Sequence, residues 1–255
     1  MRIPKAFVNK SAVFSQNADS VRRVRTVVPT DPLINPSTPA TSEEVSRIDT
    51  SWLPFAAKSY KISPRLEDYV IQNQMICPSD LANRNGVGFP KEELVAFLPP
   101  PMNRQVFKSW VGCPVHEEHE NEDCTKAVGV IFDTTFRKIK NFGDGNHWAV
   151  YGLIGVDKLK FPELAEKVRL GQINTGSMGC TADSFRCSVC NHEAHENPML
   201  NCSHITSTKD VNWRYVNHEG KQKLAFLNAY GLSPIEYSIV REPAWATCLS
   251  DNILT

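Results

Sequence analysis

Apolar and polar positions alternate in short runs along much of this chain, interrupted by a few stretches with helical spacing. Asp68–Ile76 reads as a strand, and Ala127–Phe132 and Trp148–Ile154 as two more, with a turn at Gly143-Asp144-Gly145-Asn146 between them. Lys91–Phe97 follows Pro90 and is stopped by the prolines at 99–101, which predicts a short helix. Phe161–Leu170 is the clearest helix. Pro162 and Glu163 suit its first turn, Lys167 and Arg169 its last, and Gly171 ends it, while Leu164, Ala165 and Val168 form the stripe to be buried. Lys221–Tyr230 reads as a further helix stopped by Gly231, and Ile235–Val240 alternates as a half-buried strand ending before Pro243. Strands outnumber helices. The pattern predicts an α+β fold built on a curled sheet or β-barrel with flanking helices.

Residues 1–50 differ from this. Val24–Val28 reads as a short strand, but Pro29 to Glu44 is rich in Pro, Ser and Thr without a sustained apolar period. We read 1–50 as a flexible N-terminal tail or pro-segment, 51–255 as the folded domain, and 180–204 as an insertion within it. A chain of 255 residues can bury one substantial core plus a small appendage. Lys+Arg and Asp+Glu are balanced at 28 each, which argues against direct nucleic-acid binding, where a basic excess displaces phosphate counterions. Met1–Phe7 lacks the apolar core of a secretory signal and no run approaches membrane-spanning length, so no membrane partner is expected.

Four of the eight cysteines fall within 180–202, which changes the picture. Structural zinc takes four Cys or His ligands in a tetrahedron, and a Cys-x2-Cys turn supplies two thiolates at once. Cys187 and Cys190 form that turn. Cys202 and His204 follow as the second pair, Cys180 competes with His204 for the last place, and His192 and His195 lie between as substitutes. In a chain without signs of an oxidising compartment, clustered cysteines point to metal rather than disulfides. The segment 180–204 carries only Arg186 as a cation, so the zinc knot is expected to brace the fold rather than read nucleic acid.

Directly before this knot stands Ser177, in Thr175-Gly176-Ser177-Met178-Gly179. The stretch is not the Gly-x-Ser-x-Gly elbow, because Thr175 occupies the first position. A serine nucleophile needs a base, usually histidine, and a group to orient it. Gly112-Cys113-Pro114-Val115-His116-Glu117-Glu118-His119-Glu120-Asn121 supplies two histidines among carboxylates, and composition does not choose between His116 and His119.

Three blocks in order carry a resemblance to the prohead (head-maturation) proteases of tailed bacteriophages, whose fold is related to the herpesvirus assemblins. The first is Val111-Gly112-x-Pro114-Val115 with Glu118-His119-x-Asn121 and Ala127-x-Gly129. The second runs from Val156-Asp157-Lys158 through Phe161–Ala165 and Gly171 to Ser177-Met178-Gly179-Cys180 and the Cys/His knot. The third is Ile235–Val240 with Pro243-Ala244. The resemblance spans roughly residues 58–250 and includes a large-phage subset whose cysteines follow the nucleophile. It implies an assemblin-like fold with Ser177 as nucleophile, His119 as general base and Glu236 as the third member, with Asp157 as a competitor for that last role.

What the resemblance implies for function is a serine endopeptidase inside the assembling phage prohead, in the host cytoplasm. Its substrates would be scaffold and major capsid proteins and the chain itself, with self-association a further expectation. Rival readings are a zinc-containing capsid or scaffold protein without catalysis, a cysteine hydrolase using Cys113 or Cys180, and a nucleic-acid-binding zinc protein.

Overall fold

The computed structural model describes residues 38–39, 48–139, 147–205 and 214–241. The strand read at Val24–Val28, the turn at Gly143–Asn146, Pro243-Ala244 and most of the N-terminal tail lie outside these residues. In chain order the strands are β1 (Thr38–Pro39), β2 (Tyr69–Pro78), β3 (Val87–Gly88), β4 (Pro114–Glu117), β5 (Gly129–Lys138) and β6 (Trp148–Asp157). They continue with β7 (Gly176–Thr181), β8 (Ser184–Cys187), β9 (Arg214–His218), β10 (Lys221–Ala225), β11 (Leu227–Tyr230) and β12 (Ser233–Ile239). The helices are α1 (Leu53–Tyr60), α2 (Lys91–Val95) and α3 (Pro162–Arg169).

Seven strands form the main sheet, in the order β1-β2-β6-β5-β4-β12-β7. Every pairing is antiparallel except β12 with β4. Bulges interrupt β2–β6 between Met75 and Cys77, β5–β6 between Ile131 and Asp133, and β12–β7 between Pro234 and Glu236. Each bends its strand, and together they curl the sheet until β2 and β7 come into contact. Gln74 Nε2 donates to the Asn174 carbonyl across that closure at 3.1 Å. The fold is therefore α+β on a curled sheet, as the alternation predicts.

Both faces of the curl are covered. On β5, Ile131 points into the main core, which also holds Trp110, Ile154, Tyr237 and the α3 stripe of Leu164, Ala165 and Val168. Val130 and Phe132 point the other way and pack with Leu53 and Ala57 of α1. This is the period of two expected of a strand buried on both sides. The sequence pattern did not reveal α1, because only Leu53 and Ala57 of its eight residues are buried. The predicted α2 ends at Val95, two residues before Phe97, which instead bridges to Gln105.

Two expectations are corrected. Lys221–Tyr230 is not a helix but strands β10 and β11. Glu219 and Gly220 both have positive φ (52° and 73°), the two-residue turn that suits a tight hairpin, and they fold Lys221–Ala225 back onto Arg214–His218. Leu227–Tyr230 then lies between β3 and β8 in a three-stranded sheet, with Leu227 and Ala229 buried. Sheet pairing overrides good helix formers there. The last strand is also not half-buried. From Glu236 to Ile239 every residue is buried, because β12 lies between β4 and β7, while Ile235, at the bulge, is 37% exposed.

Candidate functional site

Glu236 is fully buried in β12, an environment in which a carboxylate needs strong hydrogen-bond partners. It has them. His119 Nδ1 lies 2.8 Å from Oε1, and the Ser238 hydroxyl donates to Oε2 at 2.6 Å. An ionised carboxylate only accepts, so with Glu236 in that form the contact needs the proton on Nδ1, and a neutral imidazole then keeps its lone pair on Nε2. His119 is delivered by the turn that follows β4, where Glu118 and His119 both have positive φ (47° and 62°). That turn is tied to β12: Glu118 N–H donates to the Ile239 carbonyl at 3.0 Å and His119 N–H to Ser238 Oγ at 3.1 Å.

Ser177 stands on β7 opposite Ser238, and Gly179 opposite Glu236. Directly opposed residues share a face of the sheet with Cβ atoms roughly 5 Å apart. Ser177 is therefore one side chain away from the group that holds the His119–Glu236 pair, and it is itself buried. No hydrogen bond joins Ser177 Oγ to His119 in this conformation. The two glycines flanking Ser177-Met178 are required by close approach. A Cβ on Gly176 would meet the Tyr237 hydroxyl at 1.9 Å, and one on Gly179 would meet Glu236 Oε1 at 2.5 Å.

The other candidates fall elsewhere. His116 lies within β4, in register with Ser238, 1% exposed and with Nδ1 unpartnered. Burial pushes its pKa down, against the pull of Glu236 and Asp123 and a hydrogen bond to the Glu120 backbone. It does not pair with Glu236, which distinguishes it from His119. Asp157 accepts the backbone N–H groups of Ser63, Leu159 and Lys160, at 2.7, 2.9 and 3.1 Å, and so fixes the turn before α3. Cys113 is pushed up to about 11 by burial, with Arg104 opposing and Glu236 adding to the shift. Cys180 is pushed up to about 12 by burial and then by Glu236. Both thiols are protonated at neutral pH and are poor nucleophiles.

Beside the Ser177 strand opens a cleft of 760 Å³, running between the α3 N-terminus (Phe161, Glu163) and the segments Asn174-Thr175 and Val240-Arg241. Glu117 and Glu118, just before His119, line it as well. Thr175 Oγ1 donates to the Val240 carbonyl, holding the two segments together. The cleft thus reaches Glu118, which precedes His119, and Thr175, two residues before Ser177.

The metal-type residues form a second centre. Ligand atoms of Cys187, Cys190, Cys202 and His204 all lie within 4.8 Å of one another, close enough to hold a metal ion. Cys187 ends β8, and the chain turns through Asn191 (φ 58°) so that Ala194 N–H returns to the Phe185 carbonyl at 2.8 Å. Val189 N–H points at Cys187 Sγ (3.4 Å), an amide donor that suits a thiolate. Burial raises the Cys187 thiol to about 12. Burial also opposes the Cys190 thiolate, but a backbone hydrogen bond with His192 and side-chain contacts with His204, Cys202 and Cys187 outweigh it and bring Cys190 down to about 7. Of His204 and Cys180, it is His204 that lies within the group. Cys180 faces the core from β7, opposite Pro234, outside the group. His192 and His195 lie outside the group; His192 Nε2 meets the Leu200 carbonyl at 2.8 Å, and Asn201 clasps the backbone of His195 in both directions.

Ser238 was missed as a site residue. The signal was present: Glu-x-Ser in a strand places both side chains on one face. No protein-family model, curated protein or solved structure matches this chain.

Proposed function

We propose that the chain is a serine endopeptidase of the head-maturation type, cutting scaffold and major capsid proteins inside an assembling phage prohead. The observation that carries this reading is the His119–Glu236 hydrogen bond at 2.8 Å, with Ser177 on the adjoining strand of the same face. His119 Nε2 takes the proton of Ser177 as Oγ attacks a peptide carbonyl, and returns it to the departing amine. Water then cleaves the acyl-enzyme by the same route. Glu236 holds the imidazole in the required tautomer and stabilises its charged form. The missing Ser177–His119 hydrogen bond is in keeping with a site that tightens on substrate binding.

Zinc is the metal that the Cys₃His set fits best, since a closed site of three thiolates and one imidazole matches its structural chemistry. The ion would brace the end of β8, where Cys187 lies seven residues beyond Cys180, and the loop to His204, and would leave no open position for reaction chemistry.

The test is co-expression of the wild type and Ser177→Ala with candidate scaffold and capsid proteins, followed by intact-mass analysis over time. Cleavage by the wild type alone supports the reading. Identical masses, with both chains folded and metal-bound, favour the rival of a non-catalytic capsid or scaffold protein.

A further inference from the structure

Ser238 is the residue at which the parts of the site meet. It is fully buried near the C-terminal end of β12, between Ser177 on one neighbouring strand and His116 on the other. A hydroxyl has one proton and two lone pairs. Here the proton goes to Glu236 Oε2 at 2.6 Å, and a lone pair receives the His119 backbone N–H at 3.1 Å. Two consequences follow from that division. With Oε2 engaged, the carboxylate cannot rotate freely, and Oε1 is the oxygen presented to Nδ1. The amide bond also pins the left-handed residue that carries the imidazole, so one hydroxyl fixes both the acceptor and the backbone of the donor.

We propose that Ser238 is a positioning residue that locks the His119–Glu236 pair in the orientation used for proton transfer from Ser177. What the pair does rests on the endopeptidase reading, whereas its geometry does not. The hydrogen bonds of the Ser238 hydroxyl go to Glu236 and the His119 backbone and not to Ser177, so it acts through that pair.

The experiment uses the full, metal-loaded chain as wild type, Ser238→Ala and Ser238→Thr, with circular dichroism to establish folding. Two quantities are read: the far-downfield proton resonance of the His119 Nδ1–H bonded to carboxylate, and the rate at which a fluorophosphonate probe labels Ser177. Losing one hydrogen bond to a charged group corresponds to roughly a 10- to 100-fold slower labelling in Ser238→Ala. The resonance is lost there as well, and Ser238→Thr, which keeps the hydroxyl, recovers both. A Ser238→Ala chain that retains the resonance and the wild-type labelling rate overturns the proposal, as does a wild type without the resonance. If the alanine variant does not fold, Ser238→Cys takes its place with the same two outcomes, since its thiol fills the space but donates weakly. A wild type that shows the resonance but is never labelled sinks the endopeptidase reading, and the resonance in the variants then decides the role of Ser238 alone.

Discussion

Glu236 and Gly179 are cross-strand partners, and the carboxylate occupies the space that a side chain at 179 would need, with Oε1 2.5 Å from a Cβ built there. The glutamate cannot yield without giving up His119 and Ser238. Gly179→Ala is therefore expected to slow fluorophosphonate labelling of Ser177 at least about 10-fold and to destabilise the fold by roughly 1–3 kcal/mol, the usual cost of overpacking. Labelling kinetics and urea unfolding check it, and wild-type labelling in Gly179→Ala would show that the carboxylate does not matter there.

Glu236→Gln keeps the shape of the side chain but replaces an acceptor-only group by one whose amide can present N–H to the imidazole. The wrong tautomer of His119 then becomes favourable. Cleavage of a capsid or scaffold substrate is expected to fall by about 10³- to 10⁴-fold, the loss typical when a triad carboxylate becomes an amide. A variant within a few-fold of wild type would remove Glu236 from the catalytic set.

His116 sets a pH dependence of stability. Its pKa is lowered by burial in the folded chain, so on acidification the unfolded chain takes up a proton, near pH 6.5, that the folded chain refuses. Stability is full above that pH and declines below it, by at most about 1.4 kcal/mol per pH unit from this group, until the folded pKa is reached. Urea unfolding of the wild type between pH 5 and 7.5 should show that slope, and His116→Gln should flatten it. Equal slopes in the two chains would place the acid sensitivity elsewhere.

Removal of the proposed zinc ion is expected to act locally first. Chelation, or Cys187→Ser, should abolish amide-exchange protection across 184–205 while β5 and β6 stay protected, because the Cys/His group ties together a segment outside the main sheet. Labelling of Ser177 should slow in parallel, since β8 starts only three residues after β7. Unchanged exchange in the chelated protein would exclude a bracing role.

Much of the fold was legible in the sequence wherever an element carries its own signal. β2, β5 and β6 carry long runs of apolar, β-forming residues, and α3 has Pro162 at its start, Gly171 at its end and a clean buried stripe. The failures share one cause, which is dependence on distant partners. Lys221–Tyr230 has helix-forming composition and is strand only because β9, β3 and β8 pair with it. In the site, the Cys-x2-Cys turn is local and could be read directly. The preference for His204 over Cys180 depends on which way β7 presents its side chains. His119 differs from His116 only through a left-handed turn that carries it past the end of β4 to Glu236, 117 residues further along the chain.

The single parallel pairing in the sheet puts β12 between β4 and β7, so the last described strand is the one that joins the earlier two. A chain still emerging from the ribosome holds His119 and Ser177 on strands that have no common neighbour. The site is assembled only once residues 233–239 have been made and threaded between them. Synthesis itself thus imposes a delay, and the proposed hydrolysis cannot begin before residues 233–239 have been made, without the need for a separate inhibitor during that interval.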